Sequence, residues 1–333
     1  MTLRRRRAEA LLYQFESRTV AVLGDLMLDR YLYGAVDRIS PEAPVPIVLV
    51  RDETMMPGGA SNVACNLTTL GGSSEVAGLV GGDAEAETLR GLLRAAGVGV
   101  AGCCGRPEVR TTIKTRVIAE RQQIVRVDRE APLALDAAGR EDFCRRLREL
   151  VATVDGVIIE DYGKGAVSQA VVDVVLAAAS ARGLPVGYDP KDGHPLNVRG
   201  ITVATPNRKE AYGAMGELEP LESRAPLEDE RLLELGRRLQ EKWGVTVLII
   251  TLGPQGMVVL EAGRDAVHVP TRAREVFDVS GAGDTVIAAC TLALAAGATA
   301  IEAAELANYA AGVVVGQVGT APCRAADLLE SIP

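Results

Sequence analysis

The chain has 333 residues, 48% of them hydrophobic but only 3% aromatic, and a formal net charge of −8. That is enough apolar material for one substantial core. It excludes a basic nucleic-acid footprint and an aromatic platform for single strands. Any anionic ligand must therefore be held by local positive groups. Two histidines, His194 and His268, are too few for a His-rich metal site, and the six cysteines include no C-x-x-C pair. Reduced thiols in a cytosolic protein are the expectation.

Taken in chain order, the basic start RRRRAEALLYQF predicts an amphipathic helix, because Glu9 interrupts the apolar run that a signal peptide needs. TVAVLGD predicts the first buried strand, with Asp29 just beyond it. The segment from Arg30 to Glu53 has strand character but no helix attached. Gly58 and Gly59 then make a tight turn into a helix carrying Asn62. EVAGLVGGD predicts a strand, and Ala84–Ala96 a helix. Gly97 to Gly102 matches G-x-G-x-x-G but follows a helix and leads into a strand, the reverse of the dinucleotide-binding order.

The segment 110–130 reads as two strands around a polar turn. Alternation puts Arg110, Lys114 and Arg116 on one face, with Ile113 and Val117 on the other. Helical periods cover Asp142–Thr153, Ser168–Arg182 and Glu228–Trp243. Strand patterns cover GVIIEDYGKG, LPVGYDPK, ITVATPN and VTVLIITLG. This alternation predicts one α/β domain over residues 1–333. Its central sheet is mostly parallel and doubly wound, with helices on both faces and a small antiparallel β lid from segments about 30–53 and 110–130. Ligands in such sheets sit beyond the carboxyl ends of strands, where Asp189, Lys191, Asn207, Glu210 and Thr251 fall. The longest uncharged stretch, Thr285 to Ile301, is short of the ~18 strongly apolar residues of a membrane span. A cytoplasmic protein without membrane or nucleic-acid partners is expected.

FDVSGAGDTV, Phe277 to Val286, is the most unusual stretch. Glycines let backbone approach a ligand and turn sharply into a helix, whose first turn offers unpaired N–H groups and a positive dipole end. Gly281, Ala282 and Gly283 read as an anion cradle, and Asp284 as a base for an attacking hydroxyl. The plainer alternative is that Ser280 or Asp284 simply caps the helix. No G-x-x-x-x-G-K-[ST] occurs, so this is not a P-loop chain.

DVSGAGDT resembles the second signature of the ribokinase-like (PfkB) carbohydrate kinases, and PGGASNVACNLTTLGG the first. TPNRKEA resembles their N-x-x-E element, and TLGPQGM their nucleotide loop. GDLMLDRYLYGAVDRISPEAPVPIV, DYGKG and DPK are similar to one branch, the D-glycero-beta-D-manno-heptose 7-phosphate kinases of lipopolysaccharide-core synthesis. In many bacteria that kinase is fused to a nucleotidylyltransferase, and this chain resembles the stand-alone form. Ser61 and Gly163 stand where alanine is usual in the branch.

The resemblance implies ATP as co-substrate and Mg²⁺ held by Asn207 and Glu210, largely through water. It implies Asp284 as base with Gly281, Ala282 and Gly283 as anion hole. It also implies a sugar phosphate against Asp29, Gly58, Gly59, Asn62, Asp189, Lys191, Lys114 and Arg116. Thr251, Gly253, Gly256 and Asn308 would border the nucleotide. For Asn207 and Glu210 a capping box is the competing reading; for Asp29, a loop carboxylate touching Arg30; for the lid cations, an exposed face. A homodimer through the lid is expected. Another sugar or sugar-phosphate kinase, a non-catalytic sensor on the same fold and an NAD-dependent dehydrogenase are the rival functions.

Overall fold

A computed structural model describes residues 3–120, 122–130, 135–220, 224–273, 276–317 and 322–333. In chain order the elements are α1 (Arg5–Phe15), β1 (Thr19–Gly24), β2 (Leu26–Ile39), β3 (Pro46–Gly59), α2 (Ala60–Thr69), β4 (Ser73–Gly81), α3 (Ala84–Ala95), β5 (Gly99–Arg106), β6 (Thr112–Ala119), β7 (Gln122–Arg129), α4 (Ala137–Val151), β8 (Gly156–Glu160), α5 (Gln169–Arg182), β9 (Val186–Asp189), β10 (Val203–Ala204), α6 (Arg208–Ala214), α7 (Glu230–Trp243), β11 (Val247–Thr251), β12 (Met257–Glu261), β13 (Val267–Val269), α8 (Ala282–Ala295), α9 (Ala300–Val314) and α10 (Ala325–Ser331).

The main sheet has nine strands in the order β13-β12-β11-β10-β9-β8-β1-β4-β5. Strands β11 through β5 run parallel, and β12 and β13 close one edge as an antiparallel hairpin. Period-2 alternation divides each central strand between two cores. Val20 and Val22 of β1, Ile158 of β8 and Ile249 of β11 pack toward α2, α8 and α9. Ala21, Leu23, Ile159 and Ile250 pack toward α4, α5 and α7. Because both faces are covered, these strands read as continuous apolar runs.

Helix ends follow the sequence. Asp83 and Asp229 cap α3 and α7 with their side chains, and Gly183 and Gly244 close α5 and α7 in the left-handed conformation. Gly97 is left-handed between α3 and β5, so the G-x-G-x-x-G match is a helix-to-strand turn. Among the described residues no helix is long and apolar enough to cross a membrane.

The lid is a separate four-stranded sheet, β3-β2-β6-β7. It is larger than segments 30–53 and 110–130 suggest, since β2 starts at Leu26 and β3 runs to Gly59. Both hairpins are antiparallel, as expected, but the seam between them, β2 with β6, is parallel. Each hairpin leaves the main sheet at the same end, so the inner strands start side by side. Arg110 falls in the turn before β6 and is exposed, so it does not share the face of Lys114 and Arg116.

Candidate active site

The centre of the site is the entrance to α8. Gly281 is its N-cap, in the left-handed region at φ 78°, where glycine carries no Cβ penalty. Among the described residues no side chain caps this end, so the capping reading of Ser280 and Asp284 fails there and the first-turn amides face the site for an anion. Asp284 sits in that first turn and is 6% exposed. Its carboxylate accepts from Asn62 Nδ2 at 2.7 Å through Oδ2 and from the Tyr162 hydroxyl at 2.9 Å through Oδ1.

Burial raises the affinity of Asp284 for its proton, and the two donors offset this only in part, leaving it above the ordinary aspartate value. Acting as a base, Asp284 would have to be ionised, so kcat/KM is expected to fall as pH drops through that raised value. A pH–rate profile with its acid limb no higher than a free aspartate would overturn this.

Both donors are themselves held. Asn62 starts α2, and Asn66 one turn on donates to its carbonyl at 3.1 Å. Asn66 Oδ1 accepts from Thr285 Oγ1 of α8 at 3.1 Å and from the Cys323 amide at 3.2 Å. Tyr162 lies in the loop after β8. Asp25, 2% exposed, accepts three amides of that loop: Tyr162 at 3.0 Å, Lys164 at 2.9 Å and Ala166 at 3.0 Å. Lys164 Nζ reaches Glu130 beyond β7 at 2.6 Å, which ties the loop to the lid.

On the lid side, Asp29 is a strand residue of β2 and bonds Arg116 of β6 at 2.6 Å, while Arg30 pairs with Glu53. The loop-carboxylate reading of Asp29 is therefore replaced by a buried lid ion pair. A Cβ on Gly58 would lie 2.6 Å from Asp29 Oδ2, so only glycine lets the carboxylate lie flat across β3. Gly59, at φ 57°, makes the turn from β3 into α2 that the sequence predicts. Lys114 Nζ stands 5.2 Å from the Tyr162 ring centroid and Lys191 Nζ 6.0 Å from it, within cation–π reach. A cavity of about 730 Å³ opens between the lid and the α8 entrance, lined by Tyr31, Tyr33, Arg116, Gln123, Phe277 and Ser280 among others.

On the opposite side of the α8 entrance lies a mostly apolar cavity of about 210 Å³, bordered by Thr251, Gly253, Gly256, Gly283, Val286 and Asn308. All four residues expected at a nucleotide meet here. Asn308 donates to the Pro270 carbonyl at 2.7 Å, so it shapes the wall with one of its two N–H groups engaged. Gly256 is left-handed at φ 84°, and a Cβ there would meet the Val269 carbonyl at 2.1 Å.

Asn207 and Glu210 form the capping box of α6: Asn207 Oδ1 accepts the Glu210 amide and Glu210 Oε2 the Asn207 amide, both at 2.9 Å. Burial holds Glu210 above its usual value. Asp189, at the end of β9, accepts from Thr205 Oγ1 at 2.7 Å and lies under Gly283. Ser61 is fully buried in the first turn of α2, its hydroxyl without a partner among the described residues.

The sequence profile of the pfkB family carbohydrate kinases matches residues 17–327. The chain belongs to that family. The bifunctional protein HldE of Geobacter sulfurreducens is 43% identical over 331 residues, which cover 98% of this chain and 66% of that protein. HldE of Caulobacter vibrioides is 44% identical over 314 residues, 94% of this chain and 63% of its own length. The chain thus spans just under two thirds of these relatives. The structure of Arabidopsis thaliana ribokinase complexed with ribose and ATP superposes with a TM-score of 0.73 at 19% identity, over 94% of this chain and 98% of that one. Phosphofructokinase-2 from Escherichia coli in complex with potassium gives 0.73 at 22% identity, over 94% and 97%. The fold is ribokinase-like and the protein is a sugar kinase.

Sequence reasoning missed several groups that complete this kinase's site. Asp25, Tyr162, Asn66 and Glu130 were not candidates, although DYGKG stood out as a string. Their common signal is position: Asp25 and Tyr162 follow the carboxyl ends of β1 and β8, where α/β sheets gather ligand groups.

Proposed function

We propose that this kinase transfers the γ-phosphoryl group of ATP to the anomeric hydroxyl of D-glycero-beta-D-manno-heptose 7-phosphate, giving the 1,7-bisphosphate for lipopolysaccharide-core precursors. One observation carries the phosphotransfer reading: the entrance of α8 has a cavity on each side. Ala282, Gly283 and Val286 line the smaller, and Phe277, Asp278 and Ser280 the larger. A nucleotide in the first and a sugar in the second would meet at Asp284.

Asp284 takes the acceptor's O–H proton while that oxygen bonds the γ-phosphorus. The bond from the γ-phosphorus to the bridging oxygen breaks and ADP leaves. The first-turn amides of α8 stabilise the charge in transit, and positioning supplies the rest. Arg116 lines the larger cavity, Lys114 lies two residues before it on the same strand and over the Tyr162 ring, and both suit a sugar that already carries a phosphate. Asp29 shares Arg116 and accepts from sugar hydroxyls. Because the protein consumes ATP, we assign it to the cytoplasm.

A magnesium ion would neutralise the phosphate tail. Asn207 and Glu210 offer one amide and one carboxylate, both engaged in the capping box. Among the described residues no three acidic, His or Cys side chains form a metal cage. Such a sparse set suits an ion that keeps most of its water. The lid's outer strands β3 and β7 expose Leu49, Val50, Val125 and Val127, and unprotected edges favour pairing; we assign them to a homodimer.

The heptose reading is supported by the branch-like strings around residues 24–48 and by relatives named as bifunctional. A panel of phosphorylated and free sugars with ATP tests it, with the heptose 7-phosphate expected to be turned over fastest. Fast turnover of fructose 6-phosphate, ribose or a tagatose derivative, with none of the heptose phosphate, would sink it.

A further inference from the structure

Glu160 is the last residue of β8 and is wholly buried. Neither of its carboxylate oxygens has a hydrogen-bond partner as an ionised group among the described residues. Parity fixes its direction: Ile158, two residues earlier, packs toward α8, and Glu160 shares that face. In the sheet register its neighbours are Gly24 of β1 and Asp189 of β9. Gly24 has no side chain to fill this space; a Cβ there would come within 2.9 Å of Glu160 Cβ. Asp189, on the other side, lies under Gly283, whose Cβ would stand 4.0 Å from Asp189 Oδ2. The two carboxyls thus lie side by side beneath the first turn of α8.

Two carboxylates in contact offer each other only acceptors. Burial, Glu210 and Asp284 raise Asp189 as well, while hydrogen bonds from Thr205 and Glu160 work the other way; with one proton between the two acids, Glu160 becomes the donor and Asp189 its acceptor. The groups that act most strongly on Glu160 push the same way, against the positive first turn of α8 above. Burial, then Asp189, Asp284 of α8 and Glu210 of α6, all favour its neutral form, and the phenols Tyr162 and Tyr188 face the same cluster. A charged, unpartnered carboxylate at full burial costs more than taking up a proton.

We infer that Glu160 is a positioning residue: as a neutral acid it donates to Asp189, so that the floor of the phosphoryl cradle carries one negative charge instead of two. A doubly charged floor would repel the anion that the α8 amides gather. This rests on the phosphoryl site proposed above, but not on which sugar is used.

Two measurements test it. In the infrared difference between wild type and Glu160→Gln at neutral pH, a protonated-carboxyl band is expected in the wild type and absent from the variant. An ionised Glu160 in the wild type overturns the proposal, and this readout needs no turnover. In kinetics, Glu160→Gln keeps a donor of the same shape and should retain kcat within about threefold. Glu160→Met keeps the length but not the donor, and should lose about ten- to a hundredfold in kcat through a misaligned Asp189. Its Tm should fall slightly, since Asp189 stays buried with one donor fewer. A purely space-filling Glu160 predicts full activity in Glu160→Met. That result, or equal loss in both variants, overturns the assignment. Should Glu160→Met fail to fold, the infrared band decides alone.

Discussion

Asp284→Asn is expected to lower kcat by about a thousandfold, in the range of a lost general base, while nucleotide affinity changes by less than about threefold. The asparagine fills the same space under the same two neighbours, Asn62 and Tyr162. Its amide cannot take the acceptor's proton. The nucleotide cavity is walled by other residues, Thr251, Gly256 and Asn308 among them, so binding measured by calorimetry with a non-hydrolysable nucleotide should persist. Turnover surviving in this variant would remove Asp284 from its role and leave the α8 amides alone as the catalytic element.

Asp25→Ala is expected to cost roughly 3–5 kcal/mol of stability, because three loop amides, one buried and two half-buried, lose a charged acceptor at once. Asp25 Oδ2 serves Tyr162 and Lys164, and Oδ1 serves Ala166. Asp25→Asn should fall between the two: its single carbonyl can serve the first pair, but its NH₂ then faces the Ala166 amide donor. Urea melts would show the order wild type, asparagine, alanine. Because Tyr162 rides on this loop and donates to Asp284, kcat should drop about tenfold in the alanine variant even where it is fully folded. Equal urea midpoints for all three proteins would show that the loop holds its shape without Asp25.

The parts legible from sequence were those whose cause is local. Buried strands announce themselves by β-branched runs, and the α8 entrance by two glycines before a carboxylate. The parts that were not legible depend on partners far along the chain. Asp25 bonds amides 137 to 141 residues away, and a main-chain amide leaves no mark in the side-chain pattern. The parallel seam of the lid brings together β2 and β6, which are separated by β3, β4 and β5. Each hairpin is visible by alternation, but nothing in either says which strand lies inside. Glu160 was readable in principle, as a charged residue closing an apolar strand, yet only its register against Gly24 and Asp189 distinguishes a buried acid from a solvated strand end. Asn207 and Glu210 show the opposite case: the pair that the resemblance places at a metal also forms the capping box that its spacing allows.

Asn66 joins three stretches of chain that are made at very different times. Its side-chain oxygen waits for Thr285 and for the amide of Cys323, and its nitrogen steadies Asn62, which donates to Asp284. A nascent chain on the ribosome therefore lacks this junction until Cys323 has emerged. The bracing around Asp284 is thus completed only after all four lid strands have been made.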